Sequence, residues 1–224
     1  MQNKFKYYTG VVGFPILFVL IIWIIFWLDM KFNLNLKLYG IYPRSFDGLI
    51  GIFFSPFLHS SLEHLINNSI PLFLLRSFTF FFYKKLSWRI IILGIFFSGL
   101  ITWIIGRNSY HIGASGLIYV LMSFILFKGI FSKNFNLMAL SLVVVFIYGS
   151  LVWYIFPLKQ NMSWEGHLSG FLIGFFFALL FKQNIPKKYT YDWENENFDG
   201  NKDPFISQFD SDGNFIESKH EDDL

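Results

Sequence analysis

The chain has 224 residues, of which 54% are hydrophobic, 22% are aromatic and only 15% are charged. A soluble domain contains roughly 25% charged residues, so this composition excludes an ordinary water-soluble domain and indicates a chain surrounded by lipid. The absence of cysteine excludes disulfides, thiolate metal sites and a cysteine nucleophile.

The net charge of +3 is distributed unevenly along the chain. Residues 1–188 contain 16 of the 18 basic residues and 4 of the 15 acidic ones, a balance of +12, whereas residues 189–224 have a balance of −9. The basic residues flank apolar runs, where they meet lipid headgroups, so we expect membrane lipid as a partner and no nucleic acid. We predict a membrane domain over residues 1–188 and an acidic, disordered cytoplasmic tail over residues 189–224.

Six apolar segments are predicted to be transmembrane helices. In chain order they cover residues 11–28, 62–83, 90–106, 113–127, 136–156 and 166–181. The fourth and sixth are at or below the ~17–25 residues that span a bilayer, which fits helices that begin beneath the surface beside a water-filled cavity. Residues 29–61 are predicted to form a loop, whose apolar tract 49–58 dips partly into the interface. The predicted fold class is an all-α membrane protein, a bundle of six transmembrane helices.

The basic residues between the segments predict the orientation of the bundle. If the N-terminus is cytoplasmic, that side has ten basic residues: Lys4, Lys6, Lys84, Lys85, Arg89, Lys128, Lys133, Lys182, Lys187 and Lys188. The opposite side then has five: Lys31, Lys37, Arg44, Arg107 and Lys159. This bias predicts that both termini are cytoplasmic. An even number of spans agrees with this, because it places both termini on the same side. We expect an integral membrane protein of the bacterial plasma membrane.

Polar side chains within the spans are few, and they gather at one end of the predicted bundle. They are His59, His64, Asn67 and Asn68 at the second segment, Gly113-Ala114-Ser115-Gly116 at the fourth, and Gly166-His167 at the sixth. Consecutive segments are antiparallel, so all three of these segments begin on the non-cytoplasmic side. Polar groups inside a membrane are costly and usually functional, so this end is the predicted site.

Ser115 and His167 are the candidate nucleophile and base, because a serine needs a neighbouring base to react. Gly170 and Gly174 form a small-residue stripe that lets the sixth segment press against the fourth. A helix contact without catalytic meaning is the plainer interpretation of that stripe. Tyr119 lies one turn after Ser115 and can pack on the imidazole of His167. We predict a serine–histidine dyad, because no acidic residue lies on the His167 face of the sixth segment.

Two further residues of the second segment are candidates for stabilising an oxyanion. His64 and Asn68 are four residues apart, so both lie on one helix face. Their side chains can donate hydrogen bonds to a negative charge that develops on a substrate carbonyl oxygen.

Three spaced motifs together resemble the rhomboid family of intramembrane serine proteases over residues 11–181. They are His59-x4-His64-x3-Asn68, then Gly113-x-Ser115-Gly116 with Tyr119, and finally His167-x2-Gly170-x3-Gly174. The resemblance implies a six-helix rhomboid bundle that cleaves transmembrane segments of protein substrates without a cofactor or a metal. Gly116, Gly170 and Gly174 are then helix-packing positions.

The resemblance also implies a role for each matched residue. Ser115 would attack the scissile carbonyl, and His167 would take its proton and pass it to the leaving amine. The backbone N–H of Ser115, with His64 and Asn68, would form the oxyanion hole, and Gly113 would support the backbone there. His59 would hold the end of the second helix or a water molecule. Many family members have Trp-Arg in the first loop, whereas this chain has Pro43-Arg44.

Two other functions remain open from the sequence. A metalloprotease would use His59, Glu63, His64 and His167, but histidines five residues apart lie on different helix faces. A non-catalytic rhomboid-like protein would bind other membrane proteins without cleaving them, although it would not need both Ser115 and His167.

Overall fold

The computed structural model describes residues 7–158, 162–182, 191, 196–199, 203 and 205–216. The chain divides into two compact units, Met1–Ile185 and Pro186–Leu224. The predicted boundary at residue 188 is three residues from this division. The described residues of the first unit form seven α-helices joined by loops and 3₁₀ turns, without a strand.

Six of the seven helices follow the six apolar segments, and the remaining helix, Gly51–Phe54, lies within the predicted first loop. In chain order the seven are α1 (Gly10–Phe32), α2 (Gly51–Phe54), α3 (Leu62–Phe82), α4 (Ser87–Ile105), α5 (Ser115–Phe131), α6 (Phe135–Tyr148) and α7 (Trp164–Leu180). Helix α6 continues as a 3₁₀ helix over Gly149–Ile155. Helices α1, α3, α4 and the continuous stretch Phe135–Ile155 are long and apolar enough to cross a membrane, whereas α5 and α7 have 17 residues each. The six-span count therefore stays a prediction.

Polar caps fix the starts of three helices. The Ser61 hydroxyl accepts the His64 N–H at 3.1 Å at the start of α3. The Asn134 side chain accepts the Leu137 N–H at 3.3 Å before α6, and the Ser163 hydroxyl accepts the Gly166 N–H at 3.3 Å before α7. The first N–H groups of a helix have no partner within it, so these side chains stabilise the helix starts where backbone polarity meets the membrane.

The first loop contains helical structure that the sequence did not predict. Tract 49–58 forms α2, between 3₁₀ turns at Asp47–Leu49 and Ser55–Phe57. Ile52 packs on Gly99 of α4, where an added Cβ would lie 2.9 Å from the Ile52 side chain. Gly99 is six residues, about 9 Å, before the end of α4. The short helix is therefore inserted below that end, as expected of a dipping segment.

Arg44 holds the first loop against the end of α4. Its Nη1 donates to the carbonyl oxygens of Ile104 at 3.1 Å and Gly106 at 2.7 Å, and its backbone N–H donates to Trp103 O at 3.1 Å. The last carbonyls of a helix lack partners within it, and a cation there also stabilises the helix dipole. Arg44 thus braces the loop although the Trp-Arg pair is missing.

Helix α5 is the centre of the bundle. All of residues 117–125 are buried, and α5 packs against α3, α4, α6 and α7. Helix α1 is peripheral, with five buried residues out of 23. Between α5 and α6 lies an apolar cavity of about 320 Å³, lined by Met122, Leu126, Val144, Val145, Gly149, Val152 and Trp153. The contact between α5 and α6 is therefore less tightly filled than the centre of the bundle.

Arg76 is a buried cation within α3, and its side chain is 2% exposed. Its guanidinium carbon lies 4.3 Å from the centre of the Phe18 ring and 5.9 Å from that of Phe80. Among the described residues no group forms a hydrogen bond with its Nε or Nη1. The guanidinium of Arg76 is therefore stabilised by cation–π contacts with the faces of the Phe18 and Phe80 rings.

The second unit is described mainly over residues 205–216. A 3₁₀ turn, Ile206–Gln208, leads into an isolated antiparallel bridge between Phe209 and Phe215. The Asp210 carboxylate closes the turn by accepting the N–H groups of Asp212 and Asn214 at 2.9 and 2.8 Å. This stretch has local order that the sequence did not predict. Most of the remaining tail lies outside the described residues, so its disorder stays a prediction.

Lys128 of α5 binds the C-terminal end of α7. Its Nζ donates to the carbonyl oxygens of Ala178 at 3.0 Å and Phe181 at 2.5 Å. These carbonyls are at a helix end, where a cation satisfies them and opposes the partial negative charge of the helix dipole. The side chain therefore fixes α7 to α5 at the end of the bundle away from Ser115.

We predict that Lys128→Met lowers the free energy of unfolding by about 1.5–3 kcal/mol, the usual contribution of a hydrogen bond to a charged group. Thermal unfolding in detergent measures this change. Lys85→Met is the control, because Lys85 is exposed and its replacement also removes one positive charge. Equal melting temperatures for the two variants would contradict the assignment of Lys128 as a cap.

Candidate active site

Helices α5 and α7 meet backbone to backbone. A Cβ on Gly170 would overlap the carbonyl oxygen of Gly116, and one on Gly174 would overlap the carbonyl oxygen of Val120. The contact between these two helices is the most extensive in the protein. The three glycines predicted as helix-packing positions therefore lie at this contact, which brings the starts of α5 and α7 together.

His167 is held on two sides. Its ring stacks on the ring of Tyr119, with centroids 4.4 Å apart and planes 10° apart. Its Nδ1 lies 2.9 Å from the carbonyl oxygen of Tyr154. A carbonyl oxygen only accepts hydrogen bonds, so Nδ1 carries the proton and Nε2 keeps a free lone pair. A neutral imidazole in this tautomer can act as a base through Nε2.

The 3₁₀ helix Gly149–Ile155, which supplies the Tyr154 carbonyl, also holds Tyr119. The Tyr119 hydroxyl donates to the carbonyl oxygen of Leu151 at 2.6 Å, and Leu151 and Tyr154 both belong to Gly149–Ile155. The sequence predicted the stacking of Tyr119 on His167 but did not predict the two carbonyl partners. A backbone carbonyl has no residue-specific pattern by which a single sequence can reveal it.

Ser115 is the first residue of α5 and is half-buried. Its position leaves its backbone N–H at the helix N-terminus, where N–H groups lack partners within the helix. Among the described residues no acceptor bonds this N–H group. The start of α5 therefore offers both a hydroxyl and a free backbone donor at the same residue.

Gly113 brings the α5 loop into contact with α3. It has a φ of +110°, which favours glycine. An added Cβ would lie 2.6 Å from Nε2 of His64 and 3.7 Å from Nδ2 of Asn68. Two residues before Ser115, the chain thus passes directly over these side chains. His64 and Asn68 are beside the entrance to α5, as the sequence predicted.

The orientation of Asn68 leaves it a donor for a ligand, and His64 has such a donor in one of its two tautomers. Asn68 is 4% exposed, and its Nδ2 donates one hydrogen to the His64 carbonyl oxygen at 2.9 Å, which leaves the second hydrogen of the amide. Nδ1 of His64 lies 3.5 Å from the hydroxyl oxygen of Ser60. A hydroxyl that donates to Nδ1 favours the tautomer with a proton on Nε2, the nitrogen nearest Gly113.

His59 lies behind His64. The two ring centroids are 5.0 Å apart, and His59 is 5% exposed. Burial, and secondarily the charge of His64, lowers the pKa of His59 to about 3, so its ring is neutral. Neither ring nitrogen has a hydrogen bond of normal geometry among the described residues. The predicted role of His59 in holding the helix end or a water molecule stays a prediction.

Among the residues that the structure describes, no acidic side chain bonds to His167 as a third catalytic member. Glu165, which is 1% exposed, accepts the backbone N–H of Arg107 at 3.2 Å and forms an ion pair with its guanidinium at 3.9 Å. Its side chain is thus directed to the loop before α5, in agreement with the expectation that it faces away from His167. Within the described parts of the chain, no three His, Asp or Glu residues are grouped as metal ligands.

A small cavity of about 40 Å³, with several polar side chains in an otherwise apolar lining, adjoins Ser115. Its polar lining includes Ser55, Ser98, Thr102, His111, Ser115 and Ser163. A water molecule needs roughly 10–15 Å³ of such volume and two to four polar partners. The cavity is therefore large enough and polar enough for a few water molecules next to the serine.

Comparison with known proteins decides the family of this chain. The family model described as Rhomboid domain matches residues 47–184, more than half of the sequence. The chain belongs to the rhomboid family. An uncharacterized protein of Mycobacterium tuberculosis is 35% identical over 173 residues, which cover 73% of this chain and 72% of that protein. The match to the family model begins at the 3₁₀ turn Asp47–Leu49, before α2, and so includes every predicted site residue.

Two more relatives extend this similarity. An uncharacterized protein of Mycobacterium leprae is 32% identical over 173 residues, covering 73% of this chain and 68% of the relative. A putative rhomboid protein of Acanthamoeba polyphaga mimivirus is 29% identical over 161 residues, covering 62% and 88%. Family membership and the apolar helices make this chain an integral membrane protein. Rhomboid proteins are generally intramembrane serine proteases, although some are inactive.

We predict that Gly170→Ala forces α7 away from α5 and destabilises the protein by about 1–3 kcal/mol, as overpacking typically does. The methyl group would overlap the backbone carbonyl of Gly116, which has no flexible end that can move aside. Thermal unfolding in detergent measures the loss.

Gly13→Ala is the matched control for this prediction. Gly13 is also within a helix, but nothing lies within 4 Å of its added Cβ. Alanine favours a helix over glycine by about 0.8–1.0 kcal/mol, so this variant should be no less stable than the wild type. A Gly170→Ala variant as stable as Gly13→Ala would exclude a tight contact at Gly116.

Proposed function

We propose that this protein is an intramembrane serine endopeptidase, with Ser115 as nucleophile and His167 as base. The observation that supports this proposal most is the fixed imidazole of His167. Tyr119 stacks on its face, and the Tyr154 carbonyl holds the proton on Nδ1. The free Nε2 lone pair is the group that a serine hydroxyl needs in order to become a nucleophile.

The reaction that follows is an acyl transfer in two halves. The Ser115 oxygen attacks the scissile carbonyl carbon while its proton moves to Nε2 of His167. As the carbon–nitrogen bond breaks, His167 returns this proton to the leaving amine, and an ester on Ser115 remains. Water then attacks the ester carbon while one of its protons passes to Nε2 of His167. As the ester carbon–oxygen bond breaks, His167 returns this proton to the Ser115 oxygen, and the new C-terminal carboxylic acid is released.

The negative charge of each tetrahedral intermediate would be stabilised by three donors. These are the backbone N–H of Ser115, the second amide hydrogen of Asn68, and the Nε2 proton of His64. All lie at the start of α5 or beside Gly113, where an added Cβ would lie 2.6 Å from His64 Nε2 and 3.7 Å from Asn68 Nδ2. Donors that are fixed before reaction stabilise the developing charge without reorganisation.

The cavity beside Ser115 is the proposed source of water for the second half of the reaction. An active site within a membrane needs such a supply, because hydrocarbon contains none. The hydroxyl oxygens of Ser98, Thr102 and Ser163 lie in the lining of this cavity and can accept hydrogen bonds from water molecules along the path to the ester. Hydrolysis, rather than transfer to another amine, is the expected fate of the intermediate.

The depth of Ser115 supports a transmembrane segment as the substrate. Helix α5 has 17 residues and is about 25 Å long, shorter than the ~30 Å hydrocarbon core. If its far end is at the edge of this core, Ser115 lies about 5 Å beneath the opposite edge. The peptide bond of a membrane-inserted protein can reach such a site. The mycobacterial relatives and the charge bias support a bacterial plasma membrane with both termini cytoplasmic.

Cleavage of a single-pass model substrate by the purified protein in liposomes tests the proposal. We expect Ser115→Ala and His167→Ala each to reduce cleavage by about 10³-fold or more, with melting temperatures near that of the wild type. A fluorophosphonate probe should label the wild type and not Ser115→Ala. Folded wild-type protein that neither cleaves nor reacts with the probe would overturn the proposal and favour a non-catalytic rhomboid-like binding protein.

Asn68→Ala should lower kcat by roughly 10²–10³-fold, the usual effect of losing one oxyanion donor. The neighbouring Asn67 is the matched control, because it is in the same turn of α3 but is exposed. We expect Asn67→Ala to cleave the same substrate at the wild-type rate. Equal rates for the two variants would remove Asn68 from the oxyanion hole.

A further inference from the structure

Buried His111 and half-buried Ser163 link the starts of α5 and α7. His111 is four residues before Ser115, and Ser163 is four residues before His167. The Nδ1 atom of His111 lies 2.6 Å from the Ser163 hydroxyl oxygen. This hydrogen bond therefore joins two points that are each about one helical turn from a residue of the proposed dyad.

The direction of this hydrogen bond follows from its neighbours. Nε2 of His111 lies 3.0 Å from the carbonyl oxygen of Arg107, which can only accept, so Nε2 carries the proton. Nδ1 then accepts from the Ser163 hydroxyl. His111 is 4% exposed, and burial lowers its pKa, which favours the neutral ring that this arrangement needs.

Ser163 also caps α7. Its hydroxyl oxygen accepts the Gly166 N–H at 3.3 Å, and its carbonyl oxygen accepts the His167 N–H at 3.2 Å. His167 is therefore in the first turn of α7, and helix ends fray more readily than helix centres. The tightest glycine contact with α5 is three residues later, at Gly170, where an added Cβ would overlap the Gly116 carbonyl oxygen. The position of the His167 backbone thus depends on the cap.

Both ends of the link are anchored elsewhere. The backbone of His111 pairs with Ile41 of the first loop through N–H to carbonyl bonds of 2.8 and 3.0 Å. Close by, Arg107 donates from its guanidinium to Met162 O at 2.7 Å and binds the buried carboxylate of Glu165. The loop that enters α5 is thereby held on one side by the first loop and on the other by the first turn of α7.

We propose that His111 and Ser163 are positioning residues, whose hydrogen bond sets the first turn of α7, and with it Nε2 of His167, relative to Ser115. This inference deepens the proposed function and rests on it. Neither residue touches the substrate in this proposal. A misplacement of about 1 Å in a reacting group can reduce the rate about 10²-fold, so a bond one turn away from each reacting residue is close enough to matter.

Two near-isosteric replacements of His111 separate its two hydrogen bonds. In His111→Asn the amide oxygen takes the place of Nδ1 and can accept from Ser163, while the bond to Arg107 is lost. In His111→Gln the amide nitrogen takes the place of Nε2 and can donate to Arg107, while the acceptor for Ser163 is lost. The rate at which a fluorophosphonate labels Ser115 in liposomes measures dyad reactivity without substrate binding.

We expect His111→Asn to keep the labelling rate within about 3-fold of the wild type and His111→Gln to lose about 10-fold or more. Ser163→Ala should lose as much as His111→Gln, and Ser163→Thr, which keeps the hydroxyl, should restore the rate. The double variant His111→Gln/Ser163→Ala should be no slower than either single one, because both remove the same bond. With peptide cleavage the loss should be in kcat rather than in KM.

Melting temperatures separate positioning from folding. A lower rate counts for the proposal only in variants whose unfolding transition is within a few degrees of that of His111→Asn. Equal labelling of His111→Asn and His111→Gln, or additive losses in the double variant, would overturn the proposal and leave the protease function intact. A folded wild type that the probe does not label would overturn the protease function, and this inference with it.

Discussion

The backbone contact between α5 and α7 is the constraint on which the rest of the site depends. Inside a membrane, apolar side chains gain little by leaving lipid for one another, so close packing of backbones is a main source of helix association. Here Gly170 and Gly174 leave no side chain between the helices. The ring of His167 can therefore lie flat on Tyr119 of α5. A larger residue at either glycine would separate Ser115 and His167 before it affected any chemistry.

Side chains of the protein bind the unpaired carbonyl groups at the ends of two helices. In water, solvent binds the last carbonyls of a helix, but lipid cannot do so. Arg44 binds carbonyl oxygens at the end of α4, and Lys128 binds those at the end of α7. The two cations act at different helices and by the same chemistry. Charges that the sequence suggested as markers of orientation thus also have defined structural partners.

Much of the architecture could be predicted from the sequence, because apolar segments and glycine spacing are local properties of the chain. The alternation of helix direction was enough to gather His64, Asn68, Ser115 and His167 at one end. What could not be predicted depends on backbone atoms and on loop geometry. The carbonyl partner of His167 belongs to Tyr154, and any residue there would supply the same oxygen.

The loops show the same limit. Tract 49–58 is predicted as a loop because it is too short to span a membrane. It is nevertheless long enough for the single helical turn that it forms as α2. His111 had no spacing that would connect it with Ser163, since the two are 52 residues apart. The sequence marks Arg44 as a basic residue of the first loop without giving its partners, because its contacts with α4 depend on the path of the loop in three dimensions.

The 3₁₀ helix Gly149–Ile155 has a mechanical consequence. It is the continuation of α6, a helix whose outer face is largely exposed and which is separated from α5 by an apolar cavity of about 320 Å³. Its carbonyl groups bind both Tyr119 and His167. Sideways displacement of α6 that pulled this segment along would remove the acceptor of the Nδ1 proton. The position of α6 and the tautomer of His167 are thus coupled through a single peptide carbonyl.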